Sequence, residues 1–185
     1  ILSHVLLQAA AGKLTLTATD LTQTLTCELP ADGQLEVCLP AKLLADMVKF
    51  ERKRNAADAV LEPIGKNQVA IQLDHGTTHL TSIDPAEFPA GSEVELSLLG
   101  VLPALSLREA LKFVLPAASR DPARPHLCAV QMDGEHMVAT DGHRMHLARL
   151  PTPLPVGLLV PVGSAASVMR ISASGDNVIF EAAEN

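Results

Sequence analysis

His136–Leu147 reads H-M-V-A-T-D-G-H-R-M-H-L, and Thr15–Leu25 reads T-L-T-A-T-D-L-T-Q-T-L. In each, an Ala-Thr-Asp core falls between two runs that alternate apolar and polar residues, the period of a half-buried strand. Asp20 and Asp141 stand 121 positions apart (141 − 20). A self-match at domain-sized spacing means that one supersecondary unit occurs more than once. Function is therefore to be sought in an assembly of repeated modules.

Working outward, residues 1–8, 13–19 and 22–29 read as three antiparallel strands, the first two joined at Ala11-Gly12 and the last ended by Pro30. A strand at 33–39 leads into a helix from Pro40 to Arg52, with Pro40 suited to the first turn and Leu43, Leu44, Met47 and Val48 as its apolar stripe. Strands at 58–64, 67–74 and 76–83 follow. The rhythm then repeats: a strand at 93–98, a helix at 106–115 with Leu107, Ala110, Leu111 and Val114 inward, and strands at 126–132, 135–141 and 143–150. A further copy runs through a strand at 157–162, a helix at 163–171 and a strand at 177–182. The repeating unit is β-α-β-β-β, which makes the fold class α+β. The turn formers and prolines of Asp84–Gly91 mark a connector, so the expected domains are 1–91 and 92–185.

Composition excludes several classes. At 48% hydrophobic and 19% charged residues the chain can bury a core, and no apolar run approaches the roughly 18 residues of a membrane-spanning helix. The first residues lack a signal peptide's basic lead and cleavage site. Cys27, Cys38 and Cys128 are odd in number and sit in apolar alternating runs, which reads as buried reduced thiols in a cytoplasmic protein. A net charge of −7 argues against a uniformly basic nucleic-acid binder but leaves room for a local basic face. The chain opens on Ile1 in a strand-like run without an initiating Met, so a preceding strand and helix are expected for the first domain and a truncated end for the second.

Four segments carry a resemblance. Ile1-Leu2-Ser3 through Leu14-Thr15-Leu16-Thr17-Ala18-Thr19-Asp20, then Leu39-Pro40-Ala41-Lys42, Pro85-Ala86-Glu87-Phe88-Pro89, and above all Val138-Ala139-Thr140-Asp141-Gly142-His143-Arg144-Met145 are similar to the bacterial replicative sliding clamp, the beta subunit of DNA polymerase III. The resemblance implies the DNA-clamp fold, in which β-α-β-β-β units place helices on one face of antiparallel sheets. It also implies a homo-oligomeric ring that encircles duplex DNA without reading sequence and tethers the replicative polymerase as a processivity factor, with no catalysis and no cofactor.

Sequence-independent attraction to phosphate needs Lys and Arg on the lining surface alone. Lys42, Lys49, Lys53, Arg108 and Lys112 lie off the apolar stripes of the two helices, and Arg120 and Arg124 lie in the turn-rich stretch that follows. The plainer reading of each is an ordinary solvated helix face. Arg124-Pro125-His126 resembles a family loop that touches DNA, with Pro125 and His126 standing where the family carries aromatic residues. The family's pocket for short apolar peptides of polymerases and clamp loaders carries over to Leu127, Thr140, Gly142, His143, Arg144 and Met145. Gly142 permits a backbone kink, Met145 gives an adaptable apolar wall, and Arg144 can donate to peptide carbonyls. Without the resemblance, the same residues read as a tight hairpin with a buried Met. The hairpin from Leu127 to Thr140 is about four residues shorter than the family pattern, through a trimmed turn or missing residues.

Two rival classes remain. A metal-dependent hydrolase would use Asp141, His143 and His146, with His136 nearby, but on a strand positions 143 and 146 point to opposite faces, and no H-E-x-x-H or C-x-x-C accompanies them. Ser119, His126 and Asp121 could be arranged as a triad, yet no nucleophile elbow is present. A β-rich adhesion or scaffold module fits the alternation but not the lack of paired cysteines and a secretion signal, and a clamp-like scaffold module that does not close a ring stands as a further alternative.

Overall fold

The computed structural model describes residues 2–52, 58–74, 76–89, 96–172 and 177–183. Contacts divide the chain into two compact units, Ile1–Ser92 and Glu93–Asn185.

The first unit opens with β1 (His4–Ala10), β2 (Lys13–Thr19), β3 (Thr24–Pro30) and β4 (Leu35–Pro40), an antiparallel sheet in the order β3-β2-β1-β4. Ala11 at φ +52° and Gly12 at φ +81° form the β1–β2 turn, whose backbone twist matches that of the strands. Helix α1 (Ala41–Arg52) leads to a second sheet of β5 (Val60–Ile64), β6 (Gln68–Leu73) and β7 (Gly76–Thr81). Val5, Leu7, Val37 and Leu39 of the first sheet meet Val69, Ile71 and Leu80 of the second, and Leu44 and Met47 of α1 pack against them. Only that narrow side of α1 is covered. Leu43 and Val48, expected in the apolar stripe, are instead 51% and 58% exposed. Cys27 corrects a second expectation: its strand is at the sheet edge, so the thiol is exposed, while Cys38 is buried and Cys128 half-buried.

The second unit contains β8 (Leu96–Pro103), α2 (Ala104–Val114), β9 (Ala129–Thr140), β10 (Met145–Pro161), α3 (Val162–Ile171) and β11 (Asn177–Ala183). Strands β8 and β11 pair antiparallel, and so do β9 and β10. The stripe read for α2 holds in full: Leu107, Ala110, Leu111 and Val114 are all buried. Each large member contributes about 1.5–3 kcal/mol by leaving water. The strand expected at 126–132 begins later, because Pro125–Leu127 forms a 3-10 turn, and the strand expected at 143–150 begins at Met145. The strand expected at 157–162 is the far end of β10, whose middle is extended through a proline-rich stretch with shifts of register between Arg149, Leu154 and Leu158.

β9 is not one straight strand. Ala129 and Gln131 line the same groove as Val138 and Thr140. At about 3.3 Å per residue a straight strand would hold those ends more than 20 Å apart. The chain therefore doubles back at Asp133-Gly134, where Gly134 has φ +55°. With 145–149 paired to 136–140 and 158–161 paired to 129–132, the second unit rebuilds the β3-β2-β1-β4 arrangement of the first.

Hydrogen bonds confirm the duplication. Asp20 N–H donates to Gln23 O at 3.2 Å, and Asp141 N–H to Arg144 O at 3.3 Å. Thr19 Oγ1 donates to Gln23 O as Thr140 Oγ1 does to Arg144 O, and each threonine accepts the N–H two residues on, from Leu21 and Gly142. Ala41 N–H donates to Ser3 O, and Val162 N–H to Cys128 O. The offset is 121 at Asp20/Asp141 and Ala41/Val162 but 125 at Ser3/Cys128 (128 − 3), so the second hairpin is four residues shorter than the first. Since only Ala11 and Gly12 separate β1 from β2, that difference lies in the strand arms.

Candidate functional site

The Thr140–Met145 turn is shaped by its own side chains. Asp141 Oδ1 accepts the N–H groups of His143 (2.9 Å) and Arg144 (3.0 Å), closing an Asx turn. Those bonds, with the nearby Arg144 charge adding to them, hold the Asp141 carboxyl below the ordinary carboxylate range. Gly142 sits at φ +89°, a left-handed conformation that side chains other than those of Gly, Asn and Asp adopt only at a cost. Arg144 Nε donates to Asp141 Oδ2 at 3.1 Å, and its side chain is otherwise 61% exposed.

Beside this turn lies a groove of about 430 Å³ lined by Leu127, Ala129, Val138, Thr140, Leu158 and Leu159, with Gln131 and His126 as polar edges. Of the residues taken from the sequence for a peptide pocket, Leu127 and Thr140 line it, while Gly142, His143 and Arg144 form the adjoining turn. Met145 pairs across from Thr140 in the sheet, so both side chains share one face. Met145 is 62% exposed and Leu159 57%, which replaces the reading of a hairpin with a buried Met. The sequence reading missed Ala129, Gln131, Val138, Leu158 and Leu159. The signal was the period of two, since 129 and 131 share a face, as do 138 and 140, but it needed the fold-back at Gly134 to bring the pairs together.

The cations fall into three groups. Lys42 and Lys49 are exposed on α1 two helical turns apart, with Lys49 Nζ 3.6 Å from Asp46 Oδ1. Arg108 and Lys112 are exposed and four apart on α2, hence on one face. Arg120 and Arg124 are exposed on the segment after α2, where Arg124 Nε lies 3.4 Å from Asp121 Oδ2. A Cβ built on Gly142 would lie 3.4 Å from Arg124 Nη1, so the structure brings Arg124 to the Gly142 turn. Lys53 falls outside the described residues.

The rival chemistries lose their geometry. His143 is in the turn, not on a strand, and its backbone N–H is taken by Asp141. His146 Nδ1 lies 2.7 Å from Phe113 O, and the two rings stack at 5.0 Å between centroids. Among the described residues no three His, Cys, Asp or Glu side chains gather as a metal site. Ser119 is buried, and its Oγ accepts the N–H of Asp121 at 3.1 Å, which makes it a turn residue. Among the described residues no helix is long and apolar enough to cross a membrane.

Several known proteins resemble the chain along most of its length. The chain is 34% identical over 166 residues to the beta sliding clamp of Synechocystis sp., a match covering 83% of the chain and 42% of that protein. It belongs with the bacterial beta sliding clamps. The beta sliding clamp of Caulobacter vibrioides is 28% identical over 195 residues, covering 97% of the chain and 52% of the relative. Among solved structures, the DNA polymerase sliding clamp of Caulobacter crescentus superposes with a TM-score of 0.84 at 26% identity, over 99% of this chain and 53% of that one. The DNA polymerase III subunit beta of Bartonella birtlesii, solved bound to griselimycin, gives 0.85 at 24% identity and shares the fold. No family model matches. The chain thus has the clamp fold and spans about half the length of the curated relatives it matches.

Proposed function

We propose that this chain is part of a DNA sliding clamp: an accessory subunit without chemistry or cofactor of its own, acting in the cytoplasm. As part of a homo-oligomeric ring it holds duplex DNA without regard to sequence and tethers the polymerase and clamp loader through short apolar peptides. The observation that carries the reading is the Asp141-Gly142-His143-Arg144 turn beside an exposed apolar groove, set in a chain 99% of which superposes on about half of a sliding clamp. The mechanism is topological. A closed ring converts weak phosphate contacts into long residence, and tethering raises the polymerase's effective concentration at the primer end.

The first unit supports the groove as a place for extended chain. At the position of Leu159 stands Cys38 (offset 121), whose carbonyl accepts the N–H of Ile83 at 3.2 Å and whose side chain is fully buried. There the chain's own Ile83–Glu87 segment lies along the sheet edge. Leu159, by contrast, is exposed, and among the described residues nothing pairs beyond it. The domains 1–91 and 92–185 are accordingly read as the first two clamp domains. Lys42, Lys49, Lys53, Arg108, Lys112, Arg120 and Arg124 are assigned to DNA, and Leu127, Thr140, Gly142, His143, Arg144 and Met145 to the peptide.

The test is binding of a fluorescent peptide with a Leu-Phe end to the parent and two variants. Met145→Ala removes apolar wall and is expected to cost roughly 1–3 kcal/mol, whereas Met145→Leu keeps the volume and costs much less. Equal affinity for all three forms would remove Met145 from the site.

A further inference from the structure

The sequence contains Asp-Gly three times, at Asp32-Gly33, Asp133-Gly134 and Asp141-Gly142. This dipeptide has a covalent reaction of its own. The glycine nitrogen attacks the preceding side-chain carboxyl carbon, so that an N–Cγ bond forms as a Cγ–O bond breaks, and a five-membered succinimide closes with loss of one water. Glycine has no Cβ to hinder the approach. Water then opens the ring at either carbonyl. Opening at the main-chain carbonyl leaves the chain running through Cβ and Cγ, an isoaspartate of unchanged mass with one extra main-chain carbon. Closure needs a carboxyl that is protonated and free to turn toward the nitrogen, and a nitrogen free to lose its proton.

The fold treats the three pairs differently. At Asp141-Gly142 both reacting groups are held: Asp141 Oδ1 accepts the N–H groups of His143 and Arg144, Oδ2 accepts Arg144 Nε, and the Gly142 N–H donates to Thr140 Oγ1 at 3.1 Å. The backbone bonds from His143 and Arg144 also keep that carboxyl ionised, against the protonation that closure requires. Asp133 is exposed, and its carboxyl takes no hydrogen bond and no ion pair among the described residues. Gly134, at φ +55°, pairs with Leu154 of β10 in a stretch bounded on both sides by shifts of register. Asp32 is exposed in the loop between β3 and β4, and neither its carboxyl nor the Gly33 N–H is hydrogen-bonded among the described residues.

We propose that Asp133-Gly134 is a site of spontaneous isoaspartate formation that loosens the β9 hairpin, and that Asp141-Gly142 is protected from the same reaction by its turn. The ring at Asp141 closes only after the two backbone bonds to Oδ1 and the Gly142 bond to Thr140 have opened. Each contributes about twofold to fivefold at an exposed site, so the three together slow closure by at least about tenfold. The position of Asp133 gives the reaction a structural consequence. Ala129 and Gln131 on one arm of β9 and Val138 and Thr140 on the other line a single groove, and the chain folds back between them at Asp133-Gly134. One extra main-chain carbon there lengthens the connection, the Gly134 conformation no longer closes it, and the two walls of the groove separate.

The experiment stores the full chain warm at neutral pH for several weeks, digests it, and counts isoaspartate at each pair by enzymatic methylation of the isoaspartyl carboxyl and mass spectrometry. Asp133 is expected to convert at a rate comparable to Asp32, and Asp141 at least about tenfold more slowly. In strong urea the turn is gone and the tenfold gap closes. Asp133→Glu, at an exposed site, would need a six-membered ring and abolishes the signal at 133 alone. In the purified isoaspartate fraction, amide hydrogen exchange across 129–132 and 136–140 quickens while that of β8 keeps its rate. Equal accumulation at Asp133 and Asp141 in the folded chain overturns the proposal, as does an Asp133 that converts only in urea. A converted chain with parental exchange across β9 overturns the loosening of the hairpin.

Discussion

The duplicated turn is a paired experiment built into one chain. Leu21 and Gly142 occupy the same place in it, at φ +72° and +89°, each donating its N–H to the threonine two residues earlier. A left-handed conformation costs an L-residue about 1–2 kcal/mol, and ordering a glycine costs about 0.5–1 kcal/mol. Leu21 is 68% exposed, so truncating it forfeits little burial. Leu21→Gly is therefore expected to stabilise the first unit by about 0.5–1 kcal/mol, the strain relieved less the entropy incurred. The same logic runs backwards at Gly142. Gly142→Ala should destabilise the second unit by about 1 kcal/mol, because the strain exceeds the entropy saved in the unfolded chain. The Arg124 guanidinium in its way can swing aside, so the backbone term dominates. Asn, which tolerates the left-handed region, should fall between at both positions. Urea titration measures this directly: at a slope of about 2 kcal/mol/M, 1 kcal/mol moves the midpoint about 0.5 M. If Leu21→Gly lowers the midpoint, or Gly142→Ala leaves it unmoved, the equivalence of the two turns is wrong.

Other outcomes follow from the same geometry. Affinity for linear duplex DNA should fall steeply and log-linearly with salt and be indifferent to sequence, and changing Lys42, Lys49, Arg108 and Lys112 together to Glu should abolish it in a polarisation assay; retained binding would refute the assignment. Asp20, held down first by the Thr22 hydroxyl and then by the Gln23 and Thr22 N–H groups, and Asp141, held down by its own turn, both have folded values below their unfolded ones. Their contribution is present above the unfolded carboxylate value and is lost as pH falls through the folded one. Thermal midpoints of parent and Asp141→Asn should therefore differ at neutral pH and converge below about pH 4. Leu107→Ala, at a 1% exposed site, should cost about 2–5 kcal/mol by denaturant titration, while Leu105→Ala, at 66% exposure, should stay within about 0.5 kcal/mol. Metal analysis of purified chain should find no stoichiometric zinc; one equivalent lost on His143→Ala would revive the hydrolase reading.

Much of the fold was legible because it is local. Alternation with a period of two in Lys13–Thr19, the spacing of Leu107, Ala110, Leu111 and Val114, and the Ala-Thr-Asp echo are properties of neighbours in the chain, and the period of the apolar pattern fixes the element. The turn was legible too, since Asp141 and Gly142 carry its hydrogen bonds and its φ. Tertiary structure alone decided what lies over each face. Leu43 and Val48 match the helical period as well as Leu44 and Met47 do, yet the two small sheets of the first unit reach only one side of α1. Cys27 alternates like a core residue but lies on an edge strand where, among the described residues, nothing covers it. The groove needed both: the sequence supplied Leu127 and Thr140, but Ala129, Val138 and Leu159 joined them only when β9 doubled back at Gly134 and paired with β10. Periodicity records which side chains share a face, whereas coverage of that face depends on segments far away in sequence, whose approach no local pattern encodes.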